Sequence, residues 1–177
     1  LGCGTGLNFA RLQAAVGPAG AIVGLDLSRS MLSRAQARAQ RHRWANVYLE
    51  QANVGSRNAS GLLAPNSFDA VLFTYALSVI DDSTTAWRTA LAALRPGGRI
   101  AIVDLAMPHG PAAVLAPLAK LACITGGVQW RRKVWQWVAC DTACVQQRVL
   151  RSGHIRVAAG TSRPDLRQEP NVEPGPA

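Results

Sequence analysis

The run "LNFARLQAAV" carries apolar residues at Leu7, Phe9, Leu12 and Val16, the spacing of one helix face, and "GPAG" ends it. "AIVGLDL" then abandons the helical period for a short aliphatic stretch, the pattern of a parallel strand buried on both faces. In "SRSMLSRAQARAQRHR", Ser28 can cap a helix that sets Met31, Leu32, Ala35 and Ala39 on one side and arginines on the other. "NVYLEQANV" predicts a strand, "GSRNASGLLAPNS" a turn-rich connection, and "FDAVLFTYAL" a further buried strand with Asp69 near its start. "DDSTTAWRTALAALRPGGR" predicts a helix through Trp87, Ala90, Leu91 and Leu94, closed by Pro96, Gly97 and Gly98, and "IAIVDLAM" the next strand.

Strands alternating with helices specify an α/β fold: a doubly wound, mostly parallel sheet with helices on both faces. Such sheets bind ligands at the carboxyl ends of their strands. Beyond Met107 the period loosens. "PAAVLAPLAKLACITGG" predicts a helix interrupted at Pro117, "WRRKVWQWVACDTACV" another helix, and "QQRVLRSGHIRVAAG" two short strands around Ser152 and Gly153. From Thr161 onward Pro, Gly and charge leave little to bury, so one domain is expected over residues 1–160 and a flexible tail over 161–177.

Composition narrows the classes. A net charge of +9, nearly all of it from Arg, fits either an anionic partner such as nucleic acid or a phospholipid surface, or a bias toward Arg and Ala with no partner. No run approaches the roughly 18 apolar residues of a membrane span, so a soluble or peripherally membrane-bound protein is expected. Cys3, Cys123, Cys140 and Cys144 show no secreted-domain framework, which fits a reduced, cytoplasmic setting. Cys140 and Cys144 would share a helix face and could offer two metal ligands. A structural zinc takes about four, and His42, His109 and His154 stand singly, so packing is expected and no metal.

Candidate chemistry begins at "LGCGTG". Gly2, Gly4 and Gly6 form a turn whose backbone N–H groups can approach a polar or anionic ligand, with a helix start behind them. The dinucleotide pattern, counted from Gly2, would need glycine where Leu7 stands. Asp26 ends the following strand, where a carboxylate can accept hydrogen bonds from both ribose hydroxyls of an adenosine, or can cap the next helix.

These segments together resemble the class I S-adenosylmethionine-dependent methyltransferases, over about residues 1–106. "LGCGTG" resembles the family's first motif, "GLDLSRSML" its ribose-binding strand and helix, "FDAVLFTYALSVIDD" its fourth strand, and "LRPGGRIAIVDL" the turn and strand after it. The resemblance implies a Rossmann-like sheet and S-adenosyl-L-methionine as cofactor. It also implies that a strand and any lid helices precede Leu1, so that the sequence is a fragment lacking the first central strand, and the fragment by itself is inactive or a non-catalytic remnant on one reading. By the same resemblance Gly2, Cys3, Gly4 and Gly6 face the methionine part of the cofactor, Asp26 the ribose, and Leu27 the adenine. Where the family often has Gly-Asp-Ala, "QANV" offers Asn53, whose amide oxygen can accept from the adenine amine or can make a turn. Thr74 and Tyr75 border the methionine end and the acceptor, Tyr75 standing equally for core.

Methyl transfer requires a nucleophile held in line and a group to take its proton, and Tyr75, Asp104 and His109 lie where the fourth and fifth strands end. Asp104 has the alternative of a helix cap, and His109 that of an exposed loop residue. "TYAL" replaces the Asn/Asp-Pro-Pro-Tyr/Phe of amide and base-nitrogen methylases, and no Pro-Cys pair serves pyrimidine methylation, so nucleic acid is disfavoured as substrate. "YALSVIDDSTTAWRTALAALRPGGRIAIVDL" resembles bacterial phosphatidylethanolamine N-methyltransferases and betaine-lipid headgroup methyltransferases, and the quinone-ring methylases too. A lipid headgroup amine is the expected acceptor, with a quinone ring or small metabolite as alternative. "WRRKVWQWV" then suggests membrane contact, with Arg131, Arg132 and Lys133 on lipid phosphates and Trp130, Trp135 and Trp137 at interfacial depth, although one tryptophan face is expected to be core.

Overall fold

In a computed structural model of the chain, residues 1–56, 61–106, 132–151 and 153–163 are described. The elements run α1 (Phe9–Val16), β1 (Ile22–Asp26), α2 (Arg29–Arg41), β2 (Val47–Gln51), β3 (Phe68–Thr74), α3 (Ser83–Ala93), β4 (Leu94–Leu105), α4 (Trp135–Asp141), β5 (Thr142–Leu150) and β6 (Ile155–Ser162). Strand and helix alternate through β4 as the apolar pattern predicts.

Two sheets form. β1 and β2 pair in parallel, and β3, β4, β6 and β5 make a four-stranded sheet in that order, parallel between β3 and β4 and antiparallel beyond. Residues 1–3 link the two sheets: the Leu1 nitrogen donates to the Leu72 carbonyl at 2.8 Å and the Cys3 N–H to the Leu25 carbonyl at 2.9 Å. A segment that hydrogen-bonds to β3 on one side and β1 on the other occupies the width of one strand. Beside this link, and lined in part by Leu1, Gly2 and Cys3, a cleft of about 310 Å³ opens between the sheets, and Ala21, Ile22, Ser67 and Phe68 among its walls carry it toward the amino ends of the strands.

The main core lies on the four-stranded sheet. Phe73, Leu77, Leu94, Ile100, Ile102 and Val138 are fully buried, with Trp87 of α3 packed among them. The Trp87 indole N–H donates to the Asp141 carboxylate at 2.6 Å, tying α3 to α4. Asp82 caps α3 by accepting from the Thr85 N–H at 2.9 Å. A second core joins Phe9, Ile22 and Ala35 beneath β1 and β2, and the Ser28 hydroxyl caps α2.

The chain departs from the expected pattern in its last third. Among the described residues the helix expected from Trp130 to Val145 is confined to α4, and the chain from Thr142 is strand β5, because the nine residues to Leu150 find the open edge of β6. Cys140 therefore stands on a helix and Cys144 on a strand, at a bulge with φ of 50°, so they share no helix face. β6 continues through Ser162, past Gly160, paired with Arg99 of β4 and Thr142 of β5. "LRPGG", expected as a helix end and turn, begins β4, with the register shift between Phe68 and Ala70 opposite it.

Candidate active site

The carboxyl ends of the parallel strands gather the glycine loop, the β1–α2 connection, the end of β2 and the end of β3. All three loop glycines adopt left-handed backbone, with φ of 66° at Gly2, 55° at Gly4 and 71° at Gly6. That conformation strains any side chain. A Cβ on Gly2 would lie 2.5 Å from that of Ala76, so the loop closes directly on the chain leaving β3. A Cβ on Gly4 would meet nothing within 4 Å: the middle of the loop faces open space. The loop is braced from α2 by Arg38, whose Nε donates to the Thr5 carbonyl at 3.0 Å.

Asp26 sits at the centre of this arrangement. One carboxylate oxygen accepts from the Gly4 N–H at 2.7 Å and the other from the Ser28 N–H at 2.9 Å. A single side chain thus sets the glycine loop and the start of α2 at one point, and each oxygen keeps a lone pair for a further donor. Leu27, next in the chain, is 63% exposed, with its carbonyl held by the Gln51 amide at 3.0 Å. The ends of β1 and β2 lie side by side through the bond from the Ala52 N–H to the Asp26 carbonyl. Asn53 follows as an exposed turn residue, its Oδ1 accepting from the Gly55 N–H at 3.0 Å and keeping a second lone pair for a further donor.

Cys3 enters differently from the expectation. Its sulfur packs toward Gly24 of β1 and the second core, and burial pushes its thiol up to about 11, with Asp26 adding to the effect. It shapes the loop from below and supplies backbone, not a reactive side chain.

Thr74 ends β3, half-buried, and Tyr75 follows with φ of 53° and 44% exposure, its N–H held by the Val103 carbonyl at 2.7 Å. Left-handed backbone at a bulky residue costs energy and is overdetermined here by the ladder to β4. Tyr75 is thereby turned out at the strand end and is not core.

Asp104 is placed beneath the site and not in it. It is wholly buried: one oxygen accepts from the Ser78 N–H at 3.0 Å, the other from the Ser78 hydroxyl at 2.6 Å and the Leu105 N–H at 2.8 Å. Burial raises its pKa, opposed by those hydrogen bonds. Its work is to clamp the turn after Tyr75 onto β4. Ser78 is the partner that sequence reasoning missed, since a lone serine within an apolar run gives no signal. His109, Trp130 and Arg131 lie outside the described residues.

Part of the basic and aromatic segment turns inward, as expected of one tryptophan face. Arg132 Nη1 contacts the Ile80 and Asp81 carbonyls at 2.9 Å each and the Ser83 hydroxyl at 3.0 Å, fastening the start of α3. Trp137 packs on Trp87 with ring centres 6.0 Å apart, and Trp135 lies beneath the Arg156 guanidinium at 5.7 Å, both against the main core. Lys133 is exposed.

A glycine loop bound to the acid at the end of the next parallel strand, on an α/β sheet closed by an antiparallel hairpin, defines a Rossmann-like methyltransferase fold. The family described as methyltransferase domain matches residues 1–147, and the chain belongs to it. It is 32% identical over 109 residues to the demethylmenaquinone methyltransferase of Lactococcus lactis, covering 62% of this chain and 42% of that protein. To the ubiquinone/menaquinone biosynthesis C-methyltransferase UbiE of Pasteurella multocida it is 32% identical over 120 residues, covering 67% and 41%. The chain thus spans about two-fifths of the length of these curated relatives. Among solved structures, the YcgJ protein of Bacillus subtilis shares the fold with a TM-score of 0.69 at 17% identity, covering 92% of this chain and 89% of that one. Haemonchus contortus phosphoethanolamine N-methyltransferase 2, solved with S-adenosyl-L-methionine, does so at 0.72 and 15% identity, covering 92% and 47%.

Proposed function

We propose that this chain binds S-adenosyl-L-methionine at the glycine loop and supports methyl transfer to an amphiphilic acceptor, in the first place a ring carbon of a reduced quinone. The observation that carries the cofactor reading is the Asp26 carboxylate bonded to the Gly4 N–H beside open space over Gly4. The site fits the cofactor: Asp26 has lone pairs for ribose hydroxyls, Leu27 an exposed apolar face for a purine, and the loop uncovered backbone for the amino-acid end. Bound there, the cofactor supplies an electrophilic methyl group on a positive sulfur. The chain's part is to hold the acceptor in line and exclude water. Thr74 and Tyr75 would border that acceptor from β3.

The quinone reading is supported by the relatives at about one-third identity, whose names specify quinone methylation. A headgroup amine is the second reading, favoured by the likeness of residues 75–105 to phospholipid N-methyltransferases. Either acceptor would bring the protein to a lipid surface, which Lys133, with Trp130 and Arg131, would meet. Among the described residues no helix is long and apolar enough to cross a membrane.

Calorimetric titration with S-adenosylhomocysteine tests the cofactor reading. Binding by the wild type, weakened about tenfold or more in Asp26→Asn with the fold retained by circular dichroism, is expected; a folded wild type without affinity overturns it. Radiolabelled methyl transfer into reduced demethylmenaquinone, phosphatidylethanolamine and an RNA extract then separates the acceptors. Label confined to RNA would end both lipid-phase readings.

A further inference from the structure

We propose that His154 is the group that takes the acceptor's proton; this rests on the methyl-transfer reading above. His154 stands in the turn between β5 and β6, half-buried, one step past the ladder pairing Leu105 with Ile155. The Ala106 N–H donates to the His154 carbonyl at 2.8 Å, and His154 Nδ1 lies 2.8 Å from the Ala106 carbonyl. A carbonyl oxygen only accepts, so Nδ1 carries the hydrogen and the neutral ring keeps its lone pair on Nε2. Among the described residues Nε2 has no hydrogen-bond partner. The backbone has thus set both the tautomer and the orientation of a base.

Its position suits the task. β4 ends at the active edge with Tyr75 held against Val103 on one flank and His154 against Ala106 on the other. Two strand spacings, about 10 Å of backbone, separate these flanks at the carboxyl end of β4. His42 is not a rival, being stacked on Trp44 after α2 with ring centres 4.6 Å apart. Among the described residues, the charged groups on the elements beside His154 are Arg151 in the same turn, Arg156 along β6 and Asp104 on β4. Asp104 is spent on Ser78, and Arg156 lies over Trp135.

For a hydroquinone acceptor, the phenolic O–H proton passes to Nε2 and the ring carbon beside the resulting oxyanion attacks the methyl carbon. The carbon–sulfur bond breaks with its electron pair staying on sulfur. The displaced ring C–H proton leaves to water while the imidazolium returns its proton to oxygen, one proton being released overall. For an ammonium acceptor, Nε2 takes one N–H proton, the freed nitrogen pair attacks, and the imidazolium discharges to water.

The test uses the full 177-residue chain and the variant His154→Gln, whose amide can still bond Ala106. Expected is a fall of about 10²–10⁴-fold in methyl transfer to reduced demethylmenaquinone or phosphatidylethanolamine, loss of the acid limb of the pH–rate profile, and S-adenosylhomocysteine affinity within about twofold of wild type. A variant that keeps the wild-type rate and acid limb overturns the proposal alone. Nitrogen-15 NMR of the imidazole reads the tautomer whether or not either acceptor turns over: the Nδ1–H form supports the proposal and the Nε2–H form overturns it. A folded wild type that fails to bind S-adenosylhomocysteine overturns the functional reading and this proposal with it.

Discussion

Gly2 and Gly4 share a backbone conformation but differ in what surrounds them, and that difference predicts two outcomes. Alanine at either position costs about 1–2 kcal/mol of left-handed strain. Gly2→Ala also drives a Cβ to 2.5 Å from the Ala76 Cβ, an atom fixed to backbone, so its loss in urea unfolding should exceed that of Gly4→Ala. Gly4→Ala should show the strain alone, yet weaken S-adenosylhomocysteine binding in titration, because its methyl enters the open space over the loop. The positions of these glycines were legible in the sequence because a left-handed turn admits few residues; the bond from the Gly4 N–H to Asp26 was not, since it joins residues 22 apart. Tyr75 was ambiguous there: aromatic residues end buried strands and line sites alike, and only its φ of 53° and bond to Val103 turn it outward.

At the scale of elements, the Asp104–Ser78 contact joins the end of β4 to the turn after β3. Because burial raises the Asp104 pKa, the folded state holds a proton that the unfolded chain has released above the ordinary carboxylate value near 3.9, so this residue's contribution to stability falls as pH rises through the window up to the raised pKa. Asp82, lowered by its bonds from Thr85, gives the opposite slope, losing stability as pH falls. Urea unfolding followed upward from about pH 4 should therefore show the falling component in wild type and not in Asp104→Asn. Trp87→Phe removes the indole bond to Asp141 that joins α3 to α4, at an expected cost of about 1.5–3 kcal/mol, read by the same unfolding. The first five helices and strands were readable from their apolar period. The helix misplaced over residues 142–145 was not, because "TACV" has no period of its own and becomes strand by finding β6.

For the whole molecule, a ligand that grips both the β1–β2 pair and the four-stranded sheet should stabilise them together. At a hundredfold excess over its dissociation constant, S-adenosylhomocysteine should add about 2.7 kcal/mol, raising the thermal midpoint by about 5–10 °C in a scan monitored by tryptophan fluorescence. The order of strands and helices through β4 and the glycine turn follow from the sequence alone, since each rests on local backbone preference and on an apolar period a few residues long. Tertiary structure alone decided the rest: Asp104 withdrawn into a clamp, Arg132 and two tryptophans turned inward, and His154 Nδ1 held on the Ala106 carbonyl just past the end of β4. Those outcomes depend on contacts between residues 21 to 52 positions apart, which no short stretch of chain can encode.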